Sequence, residues 1–431
     1  MAVSGLFPVL VLLGGFAIAA DPSRRTVVLW ALVCVVVAGV DALLALSPKR
    51  LVIEREPVAQ LRLGEPGRTS LLVTNPTRRT LHGQLRDAWQ PSAGARGERH
   101  PVRLKGGERR RYATSLRPTR RGDRRADRVT VRSFGPLRLA ARQRSFDVGG
   151  AVRALPPFES RKHLPSRLAS LRQLDGRSAV RIRGQGTEFD SLRDYVEGDD
   201  VRSIDWRATA RRRNVVVRTW QPERDRRVIL VLDTSRTSAA RIGDQPRLDA
   251  AMDAALLLAA LASRAGDRVD FLAGDRWVRT RVSAAANRTT LLGELVQAMA
   301  PLEPALLEAS WPTLASAIAD TSRRRALVVL LTPLEPAAIH ESLLPTIATL
   351  THHHRVVLAS VADPALAAMA TTRHTTAEVY AAAAAERTLA LHERTASVLR
   401  KLGVHVIDAP PEELPPKLAD HYLWLKAEGL L

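Results

Sequence analysis

Two long apolar runs open the chain and predict a pair of helices. Residues 3–20 carry no charge, and residues 26–46 are interrupted only by Asp41. Each run has about the 20 residues that a helix needs to cross a bilayer. Because only residues 21–25 lie between them, the two spans are expected to form a helical hairpin with both ends on one side of a membrane.

A secretory signal peptide is the alternative interpretation of the first run, because the Ala-Ile-Ala sequence at 17–19 is similar to a cleavage site. However, no Lys or Arg precedes the run, and a second apolar run follows at once, which favours a membrane hairpin. Basic residues are more numerous after the second span than in the connection. The bulk of the chain should therefore be cytoplasmic, anchored in the inner, or cytoplasmic, membrane.

Residues 49–150 alternate apolar and polar positions over short runs and predict β-strands. Turn residues such as Gly64 and Asn75-Pro76 separate the runs. Several short strands in about 100 residues favour a small β-sandwich of immunoglobulin type. Its many arginines are expected to alternate outward into solvent.

Residues 151–226 show no continuous pattern and are interpreted as a connector followed by a charged segment. A short helix is predicted at 164–174, and the Gly-x-Gly at 184–186 is interpreted as a turn because no strand and helix frame it. Acidic and basic side chains interleave in the charged segment. This pattern favours a network of ion pairs packed around Tyr195 and Trp206.

From residue 227 to residue 431, apolar runs alternate with helical patterns. Strands are predicted at 228–232, 269–273, 327–331, 356–361 and 404–407. Helices are predicted at 248–264, 289–300, 314–323, 376–402 and 411–428. Strands that alternate with helices indicate a parallel, doubly wound α/β sheet, in which ligands bind at the carboxyl ends of the strands.

Length and charge narrow the classes of partner. The chain has 431 residues, enough for two or three domains, and a formal net charge of +21, which suits nucleic acid, an anionic membrane surface or an acidic protein. Residues 96–145 hold 17 Lys or Arg against 4 Asp or Glu. No nucleic-acid motif accompanies them, so a basic surface near anionic lipid is favoured. The single cysteine, Cys34, excludes an intramolecular disulfide and a cysteine-based metal site.

The candidate chemistry lies where the strand at 228–232 ends. Asp233, Ser235 and Thr237 place three short oxygen-bearing side chains on alternate residues there. Mg²⁺ prefers oxygen ligands in near-octahedral geometry and usually keeps some water, so these residues are a candidate magnesium site. The alternative is that the three side chains only cap the following helix.

Residues 185–237 carry the most specific pattern in the chain. They read QGTEFDSLRDYVEGDDVRSIDWRATARRRNVVVRTWQPERDRRVILVLDTSRT, which resembles the signature of domain-of-unknown-function family 58. Members of that family join the signature to a von Willebrand factor A-like fold, commonly behind a pair of membrane spans and a β-rich segment. The resemblance implies transmembrane helices at 1–48, a β-sandwich-like domain at 49–150 and a von Willebrand factor A-like domain at 227–431.

The resemblance also implies a metal-ion-dependent adhesion site. In von Willebrand factor A-like domains this site has Asp-x-Ser-x-Ser on a first loop, a threonine on a second loop and an aspartate on a third. Asp233 and Ser235 match the first loop, and Thr237 keeps the hydroxyl of the last serine. Thr289 and Thr290 are the candidates for the second loop.

The third loop departs from this pattern. After the strand at 327–331 the chain reads Thr-Pro-Leu-Glu at 332–335, and Pro333 has no side chain that binds a metal. Either Glu335 is a displaced substitute for the aspartate or the site is incomplete. An incomplete site would keep the shape for binding a partner without the ion.

The family resemblance implies a non-enzymatic protein-interaction module that acts with a MoxR-type AAA+ ATPase in the assembly or maturation of other proteins. No nucleophile elbow, Walker loop or His-Glu-x-x-His motif occurs, and no small-molecule substrate is expected. The alternative is a metal-dependent hydrolase that uses the acidic cluster at 188–205 together with Asp233. Binding of lipid or nucleic acid by the arginine-rich β segment is a third hypothesis and predicts strong salt dependence.

Overall fold

The computed structural model of this chain describes residues 2–181, 188–211, 214–221, 226–283 and 290–431. The chain divides into two compact units, residues 1–155 and residues 156–431. The turn predicted at 184–186 and the candidate ligand Thr289 lie outside the described residues.

The first unit begins with a two-residue strand, β1 (Ala2–Val3), and two apolar helices, α1 (Phe7–Ala20) and α2 (Arg24–Leu44). The helices pack against each other at Gly14, where a Cβ atom would lie 2.1 Å from Cδ1 of Trp30. Only a residue without a side chain permits this close approach.

Most of the large apolar side chains of both helices are exposed. Within the described residues, the helical region Arg24–Arg50 is the one long and apolar enough to cross a membrane, while α1 has 14 residues and is shorter. The structure therefore has one N-terminal helix of membrane-spanning length and composition.

The rest of the first unit consists of strands in two sheets. Their bounds are β2 Val52–Arg55, β3 Leu61–Arg62, β4 Gly67–Thr74, β5 Leu81–Trp89, β6 Arg99–Leu104, β7 Arg109–Leu116, β8 Gly122–Phe134, β9 Ala140–Phe146 and β10 Ala151–Leu155. One sheet contains β2, β4 and β7, and the other contains β1, β3, β5, β6, β8, β9 and β10.

The two sheets of the first unit share one apolar core. Leu71 and Tyr112 from the smaller sheet belong to the same buried cluster as Leu85 and Val131 from the larger one. The sheets therefore pack face to face, as the alternating pattern predicts. Strand β10 pairs with β8, so the sheet extends through residues 151–155, which the sequence had placed in the connector.

The second unit is a mixture of helices and strands. Its first half contains α3 Leu164–Arg181, β11 Glu188–Asp194, α4 Trp206–Thr209, β12 Val216–Gln221, β13 Arg227–Asp233, β14 Arg241–Ile242, β15 Gln245–Pro246, α5 Arg247–Arg264, β16 Arg268–Gly274 and β17 Val278–Val282. Its second half contains α6 Leu291–Met299, α7 Trp311–Thr321, β18 Leu327–Leu331, α8 Pro336–Ala338, α9 Leu344–His353, β19 Arg355–Val361, α10 Pro364–Thr371, α11 Thr376–Lys401, β20 His405–Ala409 and α12 Leu414–Ala427.

A six-stranded sheet forms the centre of this unit, in the order β17-β16-β13-β18-β19-β20. All neighbours are parallel except β17, which pairs antiparallel with β16 at one edge. Ile229 and Val231 of β13 pack in one cluster with residues of α7, α9 and α11. Val228 and Leu230 are buried as well, and α5 packs on β13, β16 and β19, so helices cover both faces of the sheet.

The charged segment differs from its sequence-based interpretation. Strands β11 and β12 form a separate two-stranded sheet. Arginines on these strands pair with acids of the segment between them, Arg193 with Asp199 and Arg218 with Asp205. The expected ion pairs therefore exist, but Trp206 is 67% exposed and they do not pack around it. The two-stranded sheet provides no deep core in which a large indole could be buried.

Candidate functional site

Asp233 is the last residue of β13, which lies between β16 and β18 inside the sheet. The residue is 1% exposed. Its Oδ1 atom accepts a hydrogen bond from the backbone N–H of Ser235 at 2.8 Å. This Asx-type turn carries the chain away from the strand and brings the following side chains back towards the carboxylate.

The three predicted ligands are brought together. The Oγ1 atom of Thr237 lies 3.3 Å from Oδ2 of Asp233 and 3.0 Å from Oγ of Ser235. These separations are those of hydrogen bonds, and neighbouring ligands of an octahedral Mg²⁺ ion also lie about 3 Å apart, so the oxygen atoms are spaced suitably for either arrangement. Ser235 precedes a short 3-10 helix, and its side chain makes no capping hydrogen bond to it.

Thr332 is a further member of the cluster that the sequence analysis did not assign. Its hydroxyl donates a hydrogen bond to Oδ2 of Asp233 at 2.7 Å. Strands β13 and β18 are in register with Leu232 opposite Leu331, so the next residue of each strand is also a neighbour. A threonine one residue beyond a parallel strand is the signal that could have predicted this contact.

The remaining third-loop residues are arranged differently from a ligand set. Pro333 is buried directly after Thr332. The side chain of Glu335 is about half exposed, and its Oε2 atom lies 4.0 Å from Nε2 of His392. The structure therefore places Thr332 at Asp233 and directs Glu335 towards helix α11.

The second-loop ligand stays a prediction. Thr290 is exposed and directly precedes α6. Thr289, the other candidate, belongs to the part of the chain that is not described. Across the described residues, no group of three or more His, Cys, Asp or Glu is placed to hold a metal, so the Asp233 set relies on one carboxylate and several hydroxyls.

The electrostatics of Asp233 favour a bound cation or proton. Burial raises the pKa of its carboxyl, while hydrogen bonds from Thr332, Ser235 and Thr237 act in the opposite direction. A buried carboxylate without a positive partner is costly, and a cation held by the surrounding oxygens would offset that cost.

Three loops meet around Asp233 and are held by hydrogen bonds. The Thr234 carbonyl accepts from the backbone N–H of Ala305 at 2.8 Å, and the Thr234 hydroxyl donates to Oδ2 of Asp275 at 3.0 Å. The backbone N–H of Arg236 donates to the Leu307 carbonyl at 2.9 Å. We call these loops, residues 233–237, 274–278 and 305–310, the rim.

The rim exposes two large apolar side chains. Leu306 is 83% exposed and Trp277 is 54% exposed. Beneath Trp277, Asp275 accepts a hydrogen bond from Nε of Arg279 at 2.8 Å. Burial alone would raise the pKa of Asp275, but hydrogen bonds from Arg279 and Thr234 outweigh it and lower the pKa. The ionised Asp275 therefore fixes the turn that presents Trp277.

Two carboxylates of the acidic segment, Asp199 and Asp205, are engaged in structural contacts. The hydrogen bond from Arg193 lowers the pKa of Asp199. Backbone N–H groups at the start of α4, chiefly that of Ala208, and the Arg218 guanidinium lower the pKa of Asp205. Both groups are therefore ionised at neutral pH and are poorly suited to donate a proton as general acids.

Two solved structures with some similarity each match about a quarter of the chain. A PapD-like domain of human CEP192 is 13% identical with a TM-score of 0.19, and the match covers 24% of this chain and 85% of that domain. A CARDB domain from Pyrococcus furiosus is 15% identical with a TM-score of 0.18, covering 23% of this chain and 86% of that one. TM-scores this low do not establish a common fold.

Among curated proteins, uncharacterized proteins of Mycobacterium tuberculosis and Mycobacterium bovis are each 31% identical to this chain over 153 residues. The match covers 35% of this chain and 48% of each relative, so the chain spans about half the length of the curated relatives it matches. A family model described as "Protein of unknown function DUF58" matches residues 191–398, which include Asp233 and Thr332. Residues 191–398 of this chain are therefore similar to the DUF58 family.

Proposed function

We propose that this chain is a membrane-anchored, non-enzymatic interaction module whose rim docks a MoxR-type AAA+ ATPase during the assembly or maturation of other proteins. In this proposal the second unit is a von Willebrand factor A-like domain. The observation that carries it is the buried Asp233 and its hydroxyl cluster, enclosed by loops that expose Trp277 and Leu306.

The rim has the physical properties of a protein-docking surface. Large apolar and aromatic side chains at the centre of an interface contribute most of the binding free energy. The hydrogen bonds of Thr234 to Ala305 and Asp275 hold the loops in place before binding. A rigid surface loses less conformational entropy when a partner binds.

The hydroxyl cluster suits a divalent cation as part of that surface. Asp233, Ser235 and Thr237 would hold Mg²⁺, with Thr332 as a neighbouring oxygen. The ion would supply positive charge at the rim, which a carboxylate of the partner can bind. No substrate chemistry is assigned to it.

The anchoring part of the proposal concerns both apolar helices. Exposed aliphatic side chains extend along α1 as well as α2, and the helices pack at Gly14 and Trp30. We propose that both cross the membrane as a hairpin and that the remaining chain is cytoplasmic. Lys49 and Arg50, five and six residues after the end of α2, support this orientation.

A co-purification experiment tests the docking role. Full-length protein is extracted in mild detergent with Mg²⁺ and ATP, and bound proteins are identified for wild type, Asp233→Ala and Leu306→Asp. Tyr380→Asp is the matched control, because Tyr380 is also a highly exposed large side chain but lies on α11. We expect an AAA+ ATPase to be retained by wild type and the control and reduced about tenfold or more by each rim variant.

Other outcomes would contradict this proposal. If wild type repeatedly lacks an AAA+ ATPase, or if rim variants retain it as well as wild type does, the rim is not the docking surface. Hydrolysis of a phosphoester or peptide that is lost in Asp233→Ala would instead support the metal-dependent hydrolase.

A further inference from the structure

The turn between β8 and β9, residues 135–139, is fastened to the end of α2. Asp41 is buried, and its carboxylate accepts hydrogen bonds from the backbone N–H groups of Leu137 at 2.8 Å, Leu139 at 2.8 Å and Ala140 at 3.0 Å. Asp41 lies about one helical turn before the end of α2. The turn is therefore held at the level where this helix ends.

The start of the chain reaches the same turn from the other side. Strand β1 pairs with β9, with Val3 opposite Ala140. The backbone N–H of Ser4 donates to the Leu139 carbonyl at 3.0 Å, and its hydroxyl donates to the Arg138 carbonyl. Both ends of the helix pair are thus fixed to the β8–β9 turn.

The outer side of this turn combines an apolar and a cationic side chain. Leu137 is 58% exposed, and Arg138 is exposed with a φ of 55°. This left-handed conformation is uncommon for a residue other than glycine and is maintained here by the contacts on both sides. An aliphatic side chain beside an arginine suits the boundary between headgroups and acyl chains.

Further cations surround the same end of the first unit. Lys49 and Arg50 belong to a 3-10 turn, Pro48–Arg50, which follows α2 after three residues and packs on β8 and β9. Arg79 donates a hydrogen bond to the Leu44 carbonyl at 2.7 Å. Apart from the buried Asp41, the chain segments that meet here contain no Asp or Glu: 42–53, 75–82 and 133–145. This surface therefore carries exposed positive charge, and the one carboxylate in contact with its turn, Asp41, is buried beneath it.

We propose that this surface, comprising Leu137, Arg138, Lys49, Arg50 and Arg79, binds the headgroups of anionic phospholipids. Leu137 is inserted at the level of the headgroups while the four cations contact phosphate oxygens. The proposal rests on the membrane insertion of α1 and α2 proposed above. It assigns the basic charge of the first unit to lipid rather than to nucleic acid.

The physical basis is charge complementarity at a fixed depth. Each Lys or Arg close to an anionic bilayer strengthens association about fivefold, and the attraction falls off over the Debye length. Asp41 keeps the turn from moving away from the helix end, so the cations are arranged before lipid binds. A solvated arginine elsewhere on the unit lacks this placement.

The test uses the full-length protein in nanodiscs of phosphatidylcholine alone or with added phosphatidylglycerol. A polarity-sensitive fluorophore is attached to Leu137→Cys in a Cys34→Ser background, and phosphatidylglycerol is titrated. The charge variant carries Lys49→Gln and Arg138→Gln. The matched control carries Arg125→Gln and Arg128→Gln, two exposed arginines of β8, one near its opposite end and one at its middle, about 20–30 Å from the turn.

We expect phosphatidylglycerol to shift the emission of the fluorophore at position 137 to the blue. This shift should occur in the labelled protein without charge substitutions and in the control. The Lys49 and Arg138 variant should need at least about tenfold more phosphatidylglycerol for the same shift. Equal responses of both charge variants, or no response to phosphatidylglycerol in inserted wild-type protein, would overturn the headgroup proposal.

Alkaline extraction of membranes distinguishes this failure from failure of the anchor. If wild type is retained by membranes but does not distinguish the lipids, only the headgroup proposal is wrong. If wild type is released as a peripheral protein, the proposed membrane insertion is wrong and the headgroup proposal fails with it.

Discussion

At the residue scale, Asp253 is a buried acid whose ionisation opposes folding. It lies on α5 and accepts hydrogen bonds from the backbone N–H of Ser160 at 3.1 Å and from the Ser160 hydroxyl at 2.9 Å. Burial raises the pKa of Asp253 from 3.8 to about 6, and these hydrogen bonds only partly counter that effect. The folded protein therefore binds this proton more tightly than the unfolded chain does.

The consequence is a pH-dependent loss of stability. Between about pH 4 and pH 6, the contribution of Asp253 to the free energy of unfolding should fall as the pH rises, by up to about 3 kcal/mol. Asp253→Asn cannot ionise, so the variant should become more stable relative to wild type across this window. Denaturant unfolding of wild type and Asp253→Asn at about pH 4 and about pH 6 measures the difference in their free energies of unfolding.

A second group, His421, also changes its protonation in this pH window. The stability of Asp253→Asn must therefore be compared with that of wild type at each pH. Burial, the neighbouring His405 and Arg355 lower the pKa of His421 to about 4. The unfolded chain therefore binds the His421 proton more tightly than the folded protein does. The contribution of His421 to the free energy of unfolding falls as the pH falls through the same window. A difference between variant and wild type that does not change with pH would contradict the role given to Asp253.

Thr332 shows the limit of residue-level reasoning about the candidate site. Asp233, Ser235 and Thr237 lie close in sequence, and a single turn brings them together. Thr332 lies 99 positions away from Asp233 and is brought to it by the pairing of β13 with β18. The third-loop pattern of the adhesion site suggested Glu335 because that pattern requires an acidic residue. The register of β13 and β18 instead places the side chain of Thr332 next to Asp233.

At the element scale, Asp41 joins a helix to a sheet. The sequence shows it only as a charge that interrupts an apolar run. In the structure its carboxylate satisfies three backbone N–H groups of the β8–β9 turn, and Gly135 approaches so closely that a Cβ atom would lie 2.2 Å from Oδ1 of Asp41. The interruption in the apolar run is therefore an attachment point.

Removal of this carboxylate should loosen the turn. Asp41→Ala leaves buried N–H groups without an acceptor, at a cost of about 1–3 kcal/mol for each unsatisfied group. We expect a lower melting temperature and faster proteolysis within residues 135–139, measured by thermal unfolding and by mapping of cleavage sites. Asp127→Ala, which changes an exposed acid on β8, is the matched control and should leave both measurements close to wild type.

Strand β17 is a strand that the hydrophobic pattern of the sequence does not predict. Its residues alternate between partly exposed and exposed side chains, including Arg279 and Arg281, so no apolar run identifies it. It forms because β16 offers a free edge, with which it pairs antiparallel. The inner strands β13 and β18 are buried on both faces and are apolar almost throughout, which is why their sequences identify them.

At the scale of the whole molecule, the proposed hairpin makes a prediction about sidedness. Cys34 is the single cysteine of the chain, so Cys34→Ser provides a cysteine-free background. In that background Ser23→Cys reports on the connection between α1 and α2, and Tyr380→Cys reports on the second unit. A membrane-impermeant maleimide should label position 23 in intact cells and position 380 only after the membrane is permeabilised.

This labelling experiment tests the two-span arrangement. Labelling of both positions only after permeabilisation would mean that the connection does not reach the outer side. Labelling of both positions in intact cells would reverse the proposed orientation of the second unit. Cys34 itself is buried, so the change to serine replaces one small side chain with another inside the helix pair.

The sequence by itself determined the features that depend on neighbours along the chain. These are the apolar helices at the N-terminus, the alternating strands of the first unit, the inner strands of the six-stranded sheet and the triplet Asp233, Ser235 and Thr237. Hydrophobic period and local turn chemistry are properties of short segments, so a linear pattern is sufficient to identify them.

Only the tertiary structure decided the features that depend on register and burial. It brought Thr332 to Asp233, gave Asp41 its contacts with the β8–β9 turn and left Trp206 exposed beside ion pairs that were expected to enclose it. Each outcome depends on which strand or turn packs against which, over separations of many residues. Contacts of that kind are set by the pairing of whole elements and are not encoded in any one segment.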